Sequence, residues 1–244
     1  MFHNLEDAPG PINFPPALFS DFMNYLSDEG FKSLTFGAAV EIIRSGHQFP
    51  DRSFVVTFDD GFRSVYDIAL PVLAELDLCA TVFLTTGSQE ANSRETRIPP
   101  VEGQEMLSWK EVDELVANEF EIAAHTMNHP DLARLENQEI HEECSRSREI
   151  IEQRTGREVS CFAYPFGSFN RRVKDIVAEI FRGACSVKLS LASQQSDPYA
   201  VERVDAFYLR NRSLFRIIPS PMFAGYLGAL RLPRSIRGTL KGSG

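Results

Sequence analysis

The chain has 244 residues, which is enough for one α/β barrel or one large α/β sheet without a second domain. Hydrophobic residues make up 43% and charged residues 24% of the sequence, as in ordinary globular proteins. The net charge of −9 argues against a nucleic-acid-binding surface, because phosphate binding needs clustered Lys and Arg. The sequence shows neither a basic leader with an apolar core nor a run of about 18 apolar residues. We therefore expect a cytoplasmic protein, although removal of a signal peptide would leave the same sequence.

Predicted helices and strands alternate along the chain. Apolar residues at helical spacing predict helices over residues 20–30, 37–46, 64–77, 108–119, 137–154 and 171–181. Apolar runs predict strands over residues 53–58, 79–86, 120–125, 159–164 and 183–188. Two helices begin at predicted capping pairs, Ser64 with Asp67 and Ser108 with Glu111, and Pro71 is expected to kink the first of them. This alternation predicts a parallel sheet, either open or closed as a barrel.

The four cysteines do not form a CxxC pair, which argues against a zinc ribbon or a thioredoxin-like site. Cys79 and Cys161 lie in apolar runs and are predicted to be buried thiols. Reduced cysteines are the favoured interpretation, and two disulfides are the alternative.

The C-terminal segment, residues 206–244, differs in charge from the rest of the chain. It contains seven basic and no acidic side chains, interspersed with bulky apolar residues. We favour a segment that packs back on the acidic body formed by residues 1–205. The alternative is contact with an anionic membrane surface or a lipid-linked glycan.

Polar side chains collect where three predicted strands end. The stretch "VVTFDDGF" places Asp59 and Asp60 after one strand, "HTMNHPDL" places His125 and His129 after another, and "YPFG" (residues 164–167) follows a third. In parallel α/β folds the carboxyl ends of the strands carry the functional residues. "DDG" is also a common polar turn, and single histidines are common at protein surfaces.

A shared metal site would account for both the paired carboxylates and the two imidazoles. Two histidines and one aspartate form a three-ligand site with open positions, as catalytic zinc and related metals use. The second aspartate is then available to act as a base on water. The sequence therefore predicts one divalent metal as the cofactor, with zinc as the favoured ion.

The same three motifs, in this order and spacing, resemble the NodB-type polysaccharide deacetylases of carbohydrate esterase family four. The connecting stretches "ALPVLAEL", "ATVFLTTG" and "SREIIEQRTGREVSCFAYPFG" are also similar to that family, and the resemblance covers residues 1–205. It implies a single distorted (β/α) barrel. It also implies metal-dependent removal of N-acetyl, or sometimes O-acetyl, groups from an acetylated polysaccharide or oligosaccharide.

The resemblance also assigns roles to individual residues. It makes Asp59 the catalytic base and Asp60, His125 and His129 the metal ligands. The oxyanion of the tetrahedral intermediate would accept a hydrogen bond from the backbone N–H of Phe166. Pro165 would shape the turn that directs this N–H, and Tyr164 would form part of the substrate-binding wall.

This chain departs from the family pattern at two points. Many members carry an arginine that orients the base, where this chain has Ala163. Arg203 is a candidate replacement, but we favour an ordinary surface arginine at that position. No histidine follows His141, so the late acid histidine of many members is missing. In one branch, which also has the YPxG motif, the acid comes from an N-terminal Phe-His or Tyr-His pair. "MFHNL" resembles that version and makes His3 the expected catalytic acid.

Two other functions remain open at this point. One is an amidase of the same fold that acts on a small cyclic or nucleotide-linked substrate. The other is a non-catalytic carbohydrate-binding protein. The presence of the base and of all three metal ligands argues against the second.

Overall fold

A computed structural model of the chain describes residues 1–87 and 104–231. Its strands are β1 (Asn4–Leu5), β2 (Asn13–Phe14), β3 (Lys32–Leu34), β4 (Ser53–Val55), β5 (Thr57–Phe58), β6 (Thr81–Leu84), β7 (Glu121–Ala124), β8 (Cys161–Ala163), β9 (Gly183–Leu189) and β10 (Val201–Arg203). Its α-helices are α1 (Pro16–Asp28), α2 (Phe36–Ser45), α3 (Leu70–Glu75), α4 (Trp109–Ala117), α5 (Asn137–Thr155), α6 (Arg171–Ile180) and α7 (Met222–Arg231).

Six of these strands form one parallel sheet, in the order β5-β6-β7-β8-β9-β10. Two further parallel pairs, β1 with β2 and β3 with β4, lie outside it. The strands at the centre of the sheet are buried on both faces, which explains why they appear in the sequence as continuous apolar runs. The predicted α/β class with a parallel sheet is confirmed.

The sheet is curled, so that its two edge strands approach each other. Arg203, on β10, donates hydrogen bonds to Asp59, which directly follows β5 at the opposite edge. The first residues of the chain lie between these edges. Phe2 donates its N–H to Thr57 of β5, and Ala206, beyond β10, donates its N–H to the carbonyl of Met1. This bridging brings residue 3 to the carboxyl end of the sheet.

Local sequence signals explain where several helices begin. α1 has Pro16 in its first turn, where the missing N–H costs nothing, and buries Phe19, Phe22 and Met23. α4 begins at the predicted capping box, in which Ser108 and Glu111 satisfy each other's backbone N–H groups.

Other local predictions were wrong. Ser64 does not cap a helix: its hydroxyl accepts from the N–H of Leu5 and donates to Asn4. The chain instead forms a π-helical turn, Val65–Ala69, before α3. The predicted strand 53–58 is interrupted at Val56, and the short strands β1, β2, β3 and β10 were not predicted. Strands of two or three residues are too short to show a period.

The cysteines are unpaired, as expected, but Cys79 is only partly buried, whereas Cys161 is buried. Burial raises the pKa of the Cys185 thiol to about 12, which makes it a poor nucleophile.

The described part of the basic segment packs back on the body. Phe215 stacks on Phe22 of α1 with ring centroids 4.7 Å apart, and Arg212 pairs with Asp21. Phe223 and Leu227 of α7 are also buried. Residues 232–244 lie outside the described part of the chain. Within the described ranges, no helix is both long enough and apolar enough to cross a bilayer.

Candidate active site

The three predicted motifs meet at the carboxyl end of the curled sheet. Asp59 and Asp60 follow β5, His125 follows β7, and Pro165 and Phe166 follow β8. Parallel strands place their following loops at one edge, so residues up to 107 positions apart in the sequence become neighbours.

Asp60, His125 and His129 converge on one point. Oδ1 of Asp60 lies 3.3 Å from Nε2 of His125 and 3.4 Å from Nε2 of His129. One ligand atom from each of these residues lies within 4.8 Å of the other two. The backbone supports this arrangement through left-handed residues, with φ of 72° at Asp60 and 54° at His129. Such conformations are costly for side-chain-bearing residues and are concentrated at functional sites.

The ring orientation of His125 follows from a single hydrogen bond. Its Nδ1 lies 2.8 Å from the carbonyl oxygen of Ala163, in β8. A carbonyl only accepts, so Nδ1 carries the proton and Nε2 is left to face Asp60. Metal-binding histidines are commonly held in this way.

These residues fit a divalent metal ion. The donor set consists of two imidazole nitrogens and one carboxylate oxygen, directed at a common point and largely removed from solvent. This composition matches catalytic zinc sites, which use three protein ligands and keep a position for water or substrate.

The charges of the site favour a cation at this point. Burial would lower the pKa of His125, but the Asp60 and Asp59 carboxylates outweigh burial and raise it. Burial and the neighbouring His125 lower the pKa of His129, which favours its neutral, metal-binding form. Burial would raise the pKa of Asp60, but the hydrogen bond and charge of His125 lower it.

Arg203 holds Asp59, which corrects the expectation of a surface arginine. Arg203 is buried, with 7% of its surface exposed. Its two terminal nitrogens donate 2.7 Å hydrogen bonds to Asp59, one to each carboxylate oxygen. Burial alone would raise the pKa of Asp59, but Arg203 holds it well below the usual carboxylate range. The alternation in "VER" was the available signal, since Val201 and Arg203 face the same side and both are buried.

His3 lies beside the two aspartates. Phe2 pairs with Phe58 in a parallel bridge, and the N–H of Asp59 donates to the carbonyl of Phe2 at 3.0 Å. The half-buried His3 therefore follows a backbone segment fastened next to Asp59. Its charge adds to the lowering of the pKa of Asp59, after the larger effects of burial and Arg203.

One residue of the YPFG motif, Tyr164, lies in a different environment from the one expected from the sequence. Phe166 has φ of 58°, and its ring is 67% exposed, with its centroid 4.5 Å from that of His129. Tyr164, expected in the substrate-binding wall, is 1% exposed; its ring packs on Phe169, and its hydroxyl donates to the carbonyl of Tyr199. Tyr164 is therefore a core residue. Pro165 is buried and precedes the turn that directs Phe166.

The curled parallel sheet carries one carboxylate and two histidines at its carboxyl end, beside a second, arginine-paired carboxylate. This arrangement is typical of hydrolases. The family model described as "Polysaccharide deacetylase" matches residues 46–180, more than half of the chain. This chain belongs to the polysaccharide deacetylase family.

Individual relatives agree with this assignment. The putative polysaccharide deacetylase YxkH of Bacillus subtilis is 22% identical over 205 residues, covering 84% of this chain and 69% of that protein. A poly-β-1,6-N-acetyl-D-glucosamine N-deacetylase of Staphylococcus aureus (strain MRSA252) is 24% identical over 203 residues, covering 78% of this chain and 67% of that protein. The solved structure of IcaB from Ammonifex degensii superposes with a TM-score of 0.75, covering 91% of this chain and 94% of that one, at 20% identity. At that identity the structural likeness supports the fold.

Proposed function

We propose that this protein is a metal-dependent deacetylase that removes N-acetyl groups from a polysaccharide containing N-acetylglucosamine. The observation that carries the proposal is the convergence of Asp60, His125 and His129 directly beside the arginine-paired Asp59. The names of relatives support the substrate class, since one of them is a poly-β-1,6-N-acetyl-D-glucosamine N-deacetylase. Removal of O-acetyl groups is the related reaction that the same site would catalyse.

Zinc is the proposed metal, held by Asp60, His125 and His129. When bound, a metal of this kind polarises the acetyl carbonyl and lowers the pKa of the attacking water. The three residues supply nitrogen and oxygen donors, which zinc accepts at catalytic sites.

Asp59 is the proposed base. Its carboxylate takes one proton from water as the water oxygen bonds to the carbonyl carbon. Arg203 supports this role because its two hydrogen bonds keep the carboxylate ionised and oriented. The backbone N–H of Phe166 is the proposed donor to the resulting oxyanion, a role supported by its turn next to His129.

His3 is the proposed acid, in the branch of the family with an N-terminal histidine and the YPxG motif. The C–N bond breaks as His3 gives a proton to the leaving amine, which yields acetate and a free amino sugar. The attachment of Phe2 to β5 supports the proposal because it keeps residue 3 at the mouth of the site.

Incubation of the zinc-loaded protein with acetylated oligosaccharides of several types tests the proposed function. Mass spectrometry is expected to show loss of one or more acetyl groups, with an N-acetylglucosamine oligomer as the best substrate. Elemental analysis is expected to show about one zinc per chain. The variant carrying alanine at both His125 and His129 is the control, and it is expected to lose both the metal and the activity. Stoichiometric zinc retained by that variant would contradict the ligand assignment.

Membrane contact through residues 206–244 gains no support from the described part of that segment. Its apolar side chains Phe215, Phe223 and Leu227 are buried against the rest of the protein. Co-sedimentation with anionic liposomes, with and without residues 232–244, tests the remaining part of the segment.

A further inference from the structure

The loop between His125 and His129 has an unusual backbone. Thr126 has φ of 66° and His129 has φ of 54°, so two residues with side chains adopt left-handed conformations within four positions. Such a conformation is unfavourable for a residue with a side chain and persists only where the surrounding structure holds it. The ring of His129 depends on this loop for its direction, because no regular strand or helix contains it.

One side of the loop is held by the neighbouring strand end. The N–H of Thr86 donates to the carbonyl of Thr126 at 3.2 Å, and that of Gly87 donates to the carbonyl of Met127 at 2.8 Å. The N–H of His129 donates to the hydroxyl of Thr126 at 3.0 Å. These contacts leave the N–H groups of residues 127 and 128 to be satisfied from another direction.

Glu143 of α5 accepts from both of these N–H groups. Its Oε2 lies 2.9 Å from the backbone nitrogen of Met127 and 2.9 Å from that of Asn128. Its Oε1 accepts from Nδ2 of Asn128 at 2.7 Å. One carboxylate thus binds three donors in two consecutive residues. A carboxylate suits this position because it only accepts, and hydrogen bonds to a charged acceptor are the strong ones.

We propose that Glu143 is a positioning residue for metal binding, because it clamps residues 127 and 128 so that the imidazole of His129 faces Asp60. This inference rests on the proposed function, which assigns the metal to Asp60, His125 and His129. Glu143 is not a ligand; it acts through the backbone of the loop. The helix that carries it also contacts β7, so α5 connects the loop to the strand that presents His125.

Four variants distinguish the effect of the hydrogen bonds that Glu143 accepts from the effect of its negative charge. Glu143→Ala removes the clamp, and Glu143→Asp keeps the charge on a side chain that is one methylene shorter. Glu143→Gln keeps the length of the side chain and one acceptor oxygen for the two backbone N–H groups. Its other terminal atom becomes an NH₂ group, and the Asn128 amide can turn so that its oxygen accepts from this NH₂. Glu142→Gln is the matched control. Glu142 is the exposed neighbour of Glu143 on the same helix, so this substitution removes a negative charge and leaves the hydrogen bonds between Glu143 and the loop in place.

The measurement is the dissociation constant of zinc, obtained by competition with a chromophoric chelator on metal-free protein. We expect Glu143→Ala and Glu143→Asp to weaken zinc binding by about 10- to 100-fold, the range found when groups that orient metal ligands are removed. Glu143→Gln is expected to retain most of the affinity, and Glu142→Gln to match the parent within about twofold, because exposed charges contribute little. Amide hydrogen exchange at residues 127–129 is expected to accelerate in Glu143→Ala.

Each result decides the matter. Equal zinc affinity in the parent, Glu143→Ala and Glu143→Asp would overturn the inference while leaving the proposed function intact. Equal losses in Glu143→Gln and Glu142→Gln would also overturn it, because they would show a general effect of charge. A parent that binds no zinc would overturn the proposed metal site and this inference together. If Glu143→Ala does not fold, Glu143→Asp and Glu143→Gln give the same decision.

Discussion

Asp59 keeps its negative charge in a buried position because Arg203 pairs with both of its carboxylate oxygens. A buried carboxylate without such a partner would take up a proton and could not act as a base near neutral pH. The adjacent Asp60 faces two imidazoles instead. Two neighbouring aspartates therefore have different partners, and this difference underlies the different roles that we propose for them.

The role of Asp59 is tested by the Asp59→Asn variant. We expect this variant to keep its zinc and to lose about 10² to 10⁴-fold in deacetylation rate, because the base is lost while the shape of the side chain is retained. The rate is measured with an acetylated oligosaccharide and the metal by elemental analysis. Asp113→Asn, at an exposed position of α4, is the control. Activity of Asp59→Asn within about threefold of the parent would show that Asp59 is structural.

The role of His3 is tested by comparing two substrates. His3→Ala is expected to lower amide hydrolysis far more than hydrolysis of an activated acetyl ester, because an amine leaves only when protonated and an activated alcohol needs no proton. Metal content and thermal stability are expected to match the parent. His141→Ala, on the exposed face of α5, serves as the control. An equal loss on both substrates, or none on either, would exclude the acid role.

At the scale of elements, the short segments that carry no clear sequence pattern are the ones that complete the site. Phe2 joins the edge of β5, and β10 presents Arg203. The segment 206–231 covers α1, where Phe215 stacks on Phe22. These elements are stabilised by packing on the body, because strands and turns this short have little stability of their own.

Phe215→Ala tests whether the segment 206–231 belongs to the core. Phe215 is buried, so its truncation is expected to lower the free energy of unfolding by about 3–5 kcal/mol. Phe207→Ala is the control, since that ring is 45% exposed and contacts Arg210, and its loss is expected to cost less than about 1 kcal/mol. Urea denaturation measures both. Similar small losses in the two variants would show that the segment is not part of the core.

At the scale of the whole molecule, the Arg203–Asp59 pair joins the two edges of the sheet. Breaking a buried pair leaves an uncompensated charge, so Arg203→Gln is expected to lower the free energy of unfolding by about 3–5 kcal/mol at pH 7. The exposed pair between Arg182 and Glu41 provides the control, and Arg182→Gln is expected to change the free energy of unfolding far less, because exposed ion pairs contribute little to stability.

This loss is expected to depend on pH. The pKa of Asp59 is lowered in the folded protein, because Arg203 outweighs the opposing effect of burial. The pair therefore contributes fully above the ordinary aspartate pKa of about 3.9, and this contribution is lost as the pH falls from there toward the folded value. Urea denaturation at pH 7 and near pH 3 is expected to show a smaller difference between the parent and Arg203→Gln at the lower pH. An unchanged difference would contradict the assigned pair.

Sequence patterns were enough to predict the α/β class, the longer helices and strands, and the grouping of Asp59, Asp60, His125 and His129. Apolar runs and helical periodicity are local signals, and the carboxyl ends of neighbouring parallel strands must meet at one edge. A pattern within a few residues was therefore sufficient to bring together groups from different parts of the chain.

The side chains that hold these groups in place could be identified only from the folded chain. Arg203 and Asp59 are 144 positions apart in the sequence and form a hydrogen bond. Glu143 lies in α5 and accepts a hydrogen bond from the loop that carries His129. The alternation in "VER" indicates only that Arg203 shares a face with Val201, and neither "VERVD" nor "HEECS" indicates which group its charged residue contacts, which is why a surface arginine was favoured. Tyr164 was assigned to the wrong environment for the same reason: the motif indicates the end of a strand, but the direction of each side chain depends on what packs against it. The curl of the sheet and the packing of the helices on it determine which residues distant in sequence come into contact. Local sequence patterns contain no information on the curl or on the helix packing.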